Sequence, residues 1–115
     1  LPERPPKEEY IGSSIQFSLE GLSSSQVTEF LGACEKRGVF LKWFGNRVAR
    51  GFTSTHEHWG YLAGPADVPK TDVVLENLLD MRIPLSANGS DMAAIADVII
   101  SALADIRESR SSDAR

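Results

Sequence analysis

The sequence predicts an α+β domain, a two-layer sandwich with a small, mostly antiparallel sheet and helices on one face. Three observations lead there. Ile15, Phe17 and Leu19 alternate with Ser14, Gln16 and Ser18, the two-residue period of a half-buried strand. Other stretches repeat apolar residues every three to four positions on a single stripe, as helices packed on one side do. The two kinds follow each other in the order β-α-β-β-α-β-α, and a sheet with one apolar face needs a helical layer to cover it.

Residues 1–11 read as a linker, because "LPERPPKEEY" holds three prolines and five charged side chains and cannot offset the cost of ordering by burial. Residues 12–110 carry the domain, and 111–115 a frayed tail. The first strand is "SSIQFSLEG". In "LSSSQVTEFLGACEKRG" serines 23–25 offer a helix N-cap, and Val27, Phe30, Leu31 and Cys34 form a stripe. Lys36 and Arg37 suit the negative helix end, and Gly38 the left-handed cap. "VFLKWF" is a second strand stopped by Gly45–Asn46; "RVARGFTST" is a third, so the two are expected to form a hairpin. From His56 to Lys70 no period is visible, and Gly60, Gly64, Pro65 and Pro69 predict a long loop. "TDVVLENLLD" is expected to be a short helix capped by Thr71, with Val74, Leu75, Leu78 and Leu79 inward.

The stretch "DMRIPL" then alternates as a strand. Met81, Ile83 and Leu85 fall on one side, Arg82 and Pro84 on the other. Pro84 cannot donate to a ladder, which predicts an edge position. The last helix is expected from about Ser90 to Glu108, with Met92, Ile95, Ile99, Ala102 and Ile106 along one stripe and "ESRSSDAR" fraying. The other face of the sheet, with its Ser, Gln, Lys and Arg, is expected to meet water, a ligand or a partner.

Composition narrows the function classes. A net charge of −4 argues against a nucleic-acid partner, which clustered Lys and Arg would bind. No apolar run of about 18 residues is present, so no membrane span is expected, and the N-terminus lacks an apolar signal core. The single cysteine, Cys34, excludes an internal disulfide and fits a reducing cytoplasm. It lies on the apolar stripe of its helix and reads as a small core residue. A chain beginning at Leu1 fits a processed or cut piece of a longer protein. Phosphate loops, dinucleotide fingerprints and the G-x-S-x-G elbow are all absent from the sequence. His56 and His58 in "THEHW" are two possible metal ligands, but zinc needs three or four and no third stands at a motif spacing. The paired carboxylates read as solvated faces. Trp43, Phe44, Phe52, Trp59 and Tyr61 crowd the middle third, where they fill the core or line a cleft or subunit interface.

The element order and the passage "MRIPLSANGSDMAAIADVIISAL" together resemble the small C-terminal domain of fold-type I pyridoxal-phosphate-dependent aminotransferases. In that superfamily a strand of the R-I-x-L kind precedes a turn and the last helix, and its arginine commonly binds the substrate α-carboxylate. The resemblance puts that role on Arg82. A guanidinium suits it, with five donors in a rigid fork that match a carboxylate bidentately. "GVFLKWFGNRVARGFTSTHEHWGYL" is similar in character to DegT-type members. Around the expected hairpin, Trp43, Asn46 and Arg50 are weaker candidates for substrate-binding residues. The likeness implies a parent enzyme, a homodimer, that passes an amino group from an amino donor to a keto acid or keto sugar. Its Schiff-base lysine, pyridine-pairing aspartate and phosphate site belong to a preceding large domain. None of Lys7, Lys36, Lys42 and Lys70 has the setting of such a lysine, so this chain alone is expected to be inactive. A different class stays open beside it, a free-standing ferredoxin-like module that binds a small effector or a partner protein.

Overall fold

The computed structural model describes residues 3, 5–9, 12–48, 55–58, 60 and 67–113. It is an α+β fold in chain order β1 (Ser14–Ser18), α1 (Ser24–Lys36), β2 (Lys42–Trp43), a 3-10 turn (His56–His58), α2 (Pro69–Glu76), β3 (Leu78–Arg82) and α3 (Gly89–Asp113). The sheet has the order β1-β3-β2 with both pairings antiparallel.

Helix α1 forms where the apolar spacing predicts, and its ends explain its length. Ser23 accepts from the Gln26 backbone N–H, and the Gln26 side chain accepts from the Ser23 N–H, a reciprocal capping box. At the other end Gly38 takes φ +84°, a conformation glycine adopts without penalty, and its N–H bonds to the Glu35 carbonyl. Helix α3 starts on a cap outside the expected Ser90–Asp91 pair. Asn88 accepts from the Asp91 N–H at 2.9 Å, and the Asp91 carboxylate accepts from the Asn88 N–H at 3.0 Å. The expected fraying after Glu108 does not occur before Asp113.

The core lies between one face of the sheet and the pair α1/α3. Val27, Phe30 and Cys34 from α1, Leu79 and Met81 from β3, and Ala102 and Ile106 from α3 are all buried in one cluster. Each large apolar side chain so enclosed contributes about 1.5–3 kcal/mol. Leu19, Leu22 and Val39 close the cluster from the connections. The β1–α1 connection is tied to the start of β3 through Asn77. Its carbonyl accepts from the Leu19 N–H at 3.0 Å, and its side-chain amide, suitably oriented, donates to the carbonyls of Leu19 and Leu22 at 3.1 and 3.2 Å. Arg110 reaches back from α3 to donate to the Gly21 carbonyl at 3.2 Å.

Three expectations need correction. The helix expected over 71–80 starts and ends earlier, at Pro69–Glu76. Pro69 supplies a preset φ at the first helical turn, so Thr71 is interior rather than a cap. Leu78 and Leu79 instead open β3, where they find ladder partners on both sides; α2 buries none of its residues, and Val73 and Val74 are exposed. Second, β3 is the central strand rather than an edge. Pro84 is no obstacle, because the strand stops at Arg82 and the proline lies beyond the ladder. Leu85, expected inward, is therefore fully exposed in a turn. β2 pairs with β3, and Arg47 and Val48 form a bend; residues 49–54 of the expected third strand, and with them the expected hairpin, lie outside the described residues. Third, the expected loop over 56–70 contains the 3-10 turn and the first residues of α2.

Candidate functional site: the polar face of the sheet

Register decides which side chains share a face. Ile15 lies opposite Met81, Phe17 opposite Leu79, and Trp43 opposite Leu79 from the other side. These are the residues that meet the helices. The alternate residues make the second face: Ser14 opposite Arg82, Asp80 between Gln16 and Lys42, and Ser18 opposite Leu78. The expected contrast between an oily and a polar face is present.

Arg82 ends β3 on the polar face and is exposed. Its backbone is held by Met81, buried in the core, and by the continuing ladder, in which the Ile83 N–H donates to the Ser13 carbonyl at 3.0 Å. Its guanidinium makes no ion pair or hydrogen bond with another described residue. The pairing with Asp80 that a solvent-facing arginine would suggest is not formed.

Asp80 is the residue that sequence reasoning passed over except as that possible partner. It is 1% exposed, and neither carboxylate oxygen has a hydrogen-bond partner among the described residues. It points to the same face as Arg82, between Gln16 and Lys42 on the neighbouring strands. A charged group buried without partners costs several kcal/mol, so its retention in the middle of the central strand is unusual. The signal was parity: once β3 is known to begin at Leu78, Asp80 and Arg82 must share a face.

Two of the remaining candidates, Trp43 and Asn46, are among the described residues. Trp43 is on the opposite face, packed against the core, and its indole N–H donates to the Glu76 carbonyl at 2.7 Å. It satisfies one of the free carbonyls at the end of α2. Gly45 is needed beside it, because a Cβ there would come within 2.7 Å of the Trp43 Nε1 and 3.0 Å of the Glu76 carbonyl oxygen. Asn46 builds a turn: its N–H donates to the Trp43 carbonyl at 3.3 Å, and its side-chain oxygen accepts from the Val48 N–H at 3.1 Å. Arg50 lies outside the described residues, as do Phe52, Trp59 and Tyr61.

Elsewhere the chemistry is sparse. Cys34 is enclosed in the core; burial pushes its thiol pKa up, and the nearby Arg37 opposes this only in part. The Thr55 hydroxyl and His58 Nδ1 are 3.3 Å apart, and no group of three metal-ligating side chains occurs among the described residues. Among the described residues no helix is long and apolar enough to cross a membrane. On the helix side a hollow of about 260 Å³ is lined by Ile15, Phe17, Met81, Met92, Ile95 and Ile99, with no charged side chain. It lies across the sheet from Arg82.

The lysines do not form a pyridoxal phosphate site. Lys7, Lys36 and Lys70 are exposed in the N-terminal segment, at the end of α1 and in α2, and Lys42 is half-buried on β2. The described residues of this chain do not fit that cofactor. Comparison with protein families, with curated proteins and with solved structures found no match.

Proposed function

We propose that this chain is the C-terminal, substrate-closing domain of a pyridoxal-phosphate-dependent aminotransferase, inactive by itself, whose large domain carries the cofactor and the lysine chemistry. One observation supports this most directly: a guanidinium on the polar face of the central strand that pairs with no described residue, its backbone fixed by the core beneath it. Such a group binds a carboxylate at little cost in reorganisation, since it breaks no existing ion pair. In this reading Arg82 holds the α-carboxylate of the amino donor while the domain closes, and a keto acid or keto sugar takes up the amino group. The parent is a homodimer acting on small molecules, with no nucleic acid or membrane partner.

The experiment is Arg82→Ala in the full-length parent. Losing a charge-assisted, bidentate contact of about 1.5–3 kcal/mol raises the donor's KM roughly 10- to 100-fold. Unchanged kinetics remove the role. A reading frame of roughly 250–300 residues upstream of Leu1 is also required by the usual domain sizes, and its absence defeats the assignment.

A further inference from the structure

We propose that the outer edge of β1 is a self-association surface, on which a second copy of this chain adds its own β1 antiparallel. Two three-stranded sheets then join into one of twice the width. This surface involves neither Arg82 nor a cofactor and does not depend on the aminotransferase reading. β1 is an edge strand, and parity decides where its backbone groups point. At the two ends of the β1–β3 ladder the Leu19 N–H donates to the Asn77 carbonyl and the Ile83 N–H to the Ser13 carbonyl, both at 3.0 Å. Counting by twos between these pairs turns the backbone groups of Ile15 and Phe17 toward β3 and those of Ser14, Gln16 and Ser18 outward. None of the outward groups bonds to a described residue. Edges that must stay single are usually blunted by charge, proline or a bulge. β1 has none of these, and its register runs unbroken from Ser14 to Ser18.

The strand's sequence suits a copy of itself. About Gln16, "SIQFS" reads serine, apolar, glutamine, apolar, serine in both directions. A two-fold axis at Gln16 sets Gln16 against Gln16, and Ser14 against Ser18 of the second copy, as hydrogen-bonded pairs with about two backbone bonds each. Ile15 then meets Phe17 of the second copy in a closer, non-hydrogen-bonded pair on the helix side of both sheets. No charge faces a charge. Ile15 and Phe17 are half-buried in the single chain and line the apolar hollow, whose walls come from β1, β3 and α3 but not from α1 or β2. The hollow therefore adjoins this edge, and the second copy extends its apolar floor. A strand of unrelated sequence gains the same backbone bonds without this side-chain match.

The test follows the mass of the 115-residue chain by sedimentation equilibrium over a wide concentration range, with amide exchange measured in parallel. The mass should rise from 12.6 kDa toward twice that value. In step with it the amides of Ser14, Gln16 and Ser18 should slow about tenfold, while those of Ile15 and Phe17 stay protected throughout. Gln16→Pro removes an outward N–H without touching the β3 ladder and should abolish association. Gln16→Lys sets like charges face to face across the axis and should weaken it several-fold. A chain that stays monomeric overturns the paired edge and leaves it to a strand of another protein. A dimer that forms without slowing those three amides, or that neither variant weakens, overturns it as well, because another face is then in use. Gln16→Lys, made at an exposed side chain, decides the matter even if Gln16→Pro does not fold.

Discussion

Replacing Asp80 by Asn should make the protein more stable. The change keeps shape and volume and removes only the charge. Asp80 is 1% exposed and neither oxygen has a partner among the described residues, so folding strips its hydration and they return no hydrogen bond. A neutral amide in the same place still lacks partners, at a cost of roughly 1–3 kcal/mol, whereas a buried lone carboxylate costs several. The difference, about 1–3 kcal/mol, is the expected gain. For a domain of 115 residues each kcal/mol shifts Tm by about 4 °C, so a rise of roughly 4–12 °C is expected. Circular dichroism melts at neutral pH, with urea unfolding to confirm an unchanged m-value, measure it. A lower Tm would refute the reasoning, because it would mean that the carboxylate has a stabilising partner.

Gly45→Ala forces a methyl group against the Trp43 indole and the Glu76 carbonyl, and should cost about 1–3 kcal/mol with a shift in tryptophan fluorescence. Ser23→Ala removes half of the capping box on α1 and should cost about 1 kcal/mol in urea unfolding. The Cys34 thiol, its pKa raised by burial, should react with a disulfide reagent far more slowly in the native than in the unfolded chain. The unfolded chain loses this proton first, so stability should fall as pH rises past the thiol's ordinary value of 9.0; a Cys34→Ala variant should lack that fall.

Much of the architecture was legible because burial and local chemistry agree there. Val27, Phe30 and Cys34 repeat at helical spacing between a serine cap and Gly38, and all three are buried. Ile15 and Phe17 alternate with polar neighbours and lie on the helix side of the sheet. The passage around Leu78 was not legible. Its leucines continue the helical stripe of Val74 and Leu75 as well as they begin a strand, and only partners distant in sequence, Phe17, Ser18 and Trp43, decide between the two. Arg82's position on the polar face followed from alternation alone. That Asp80 would be enclosed and unpaired did not, because burial of a residue on a polar face depends on what covers it. Trp43 illustrates the converse: a large aromatic beside a turn invites a cleft assignment, yet its N–H is committed to closing α2.

Helix α3 is fastened unequally along its length. Its later half is sealed by Ala102 and Ile106 and braced by Arg37 on Asp105 and by Arg110 on the Gly21 carbonyl. Its earlier half, around Met92 and Ile95, borders the apolar hollow above Ile15 and Phe17. Fewer atoms resist motion there, so the first turns can lift from the sheet while the last turns stay seated. Amide exchange should consequently run faster before Ile99 than around Ala102, giving the rod a pivot within one continuous helix.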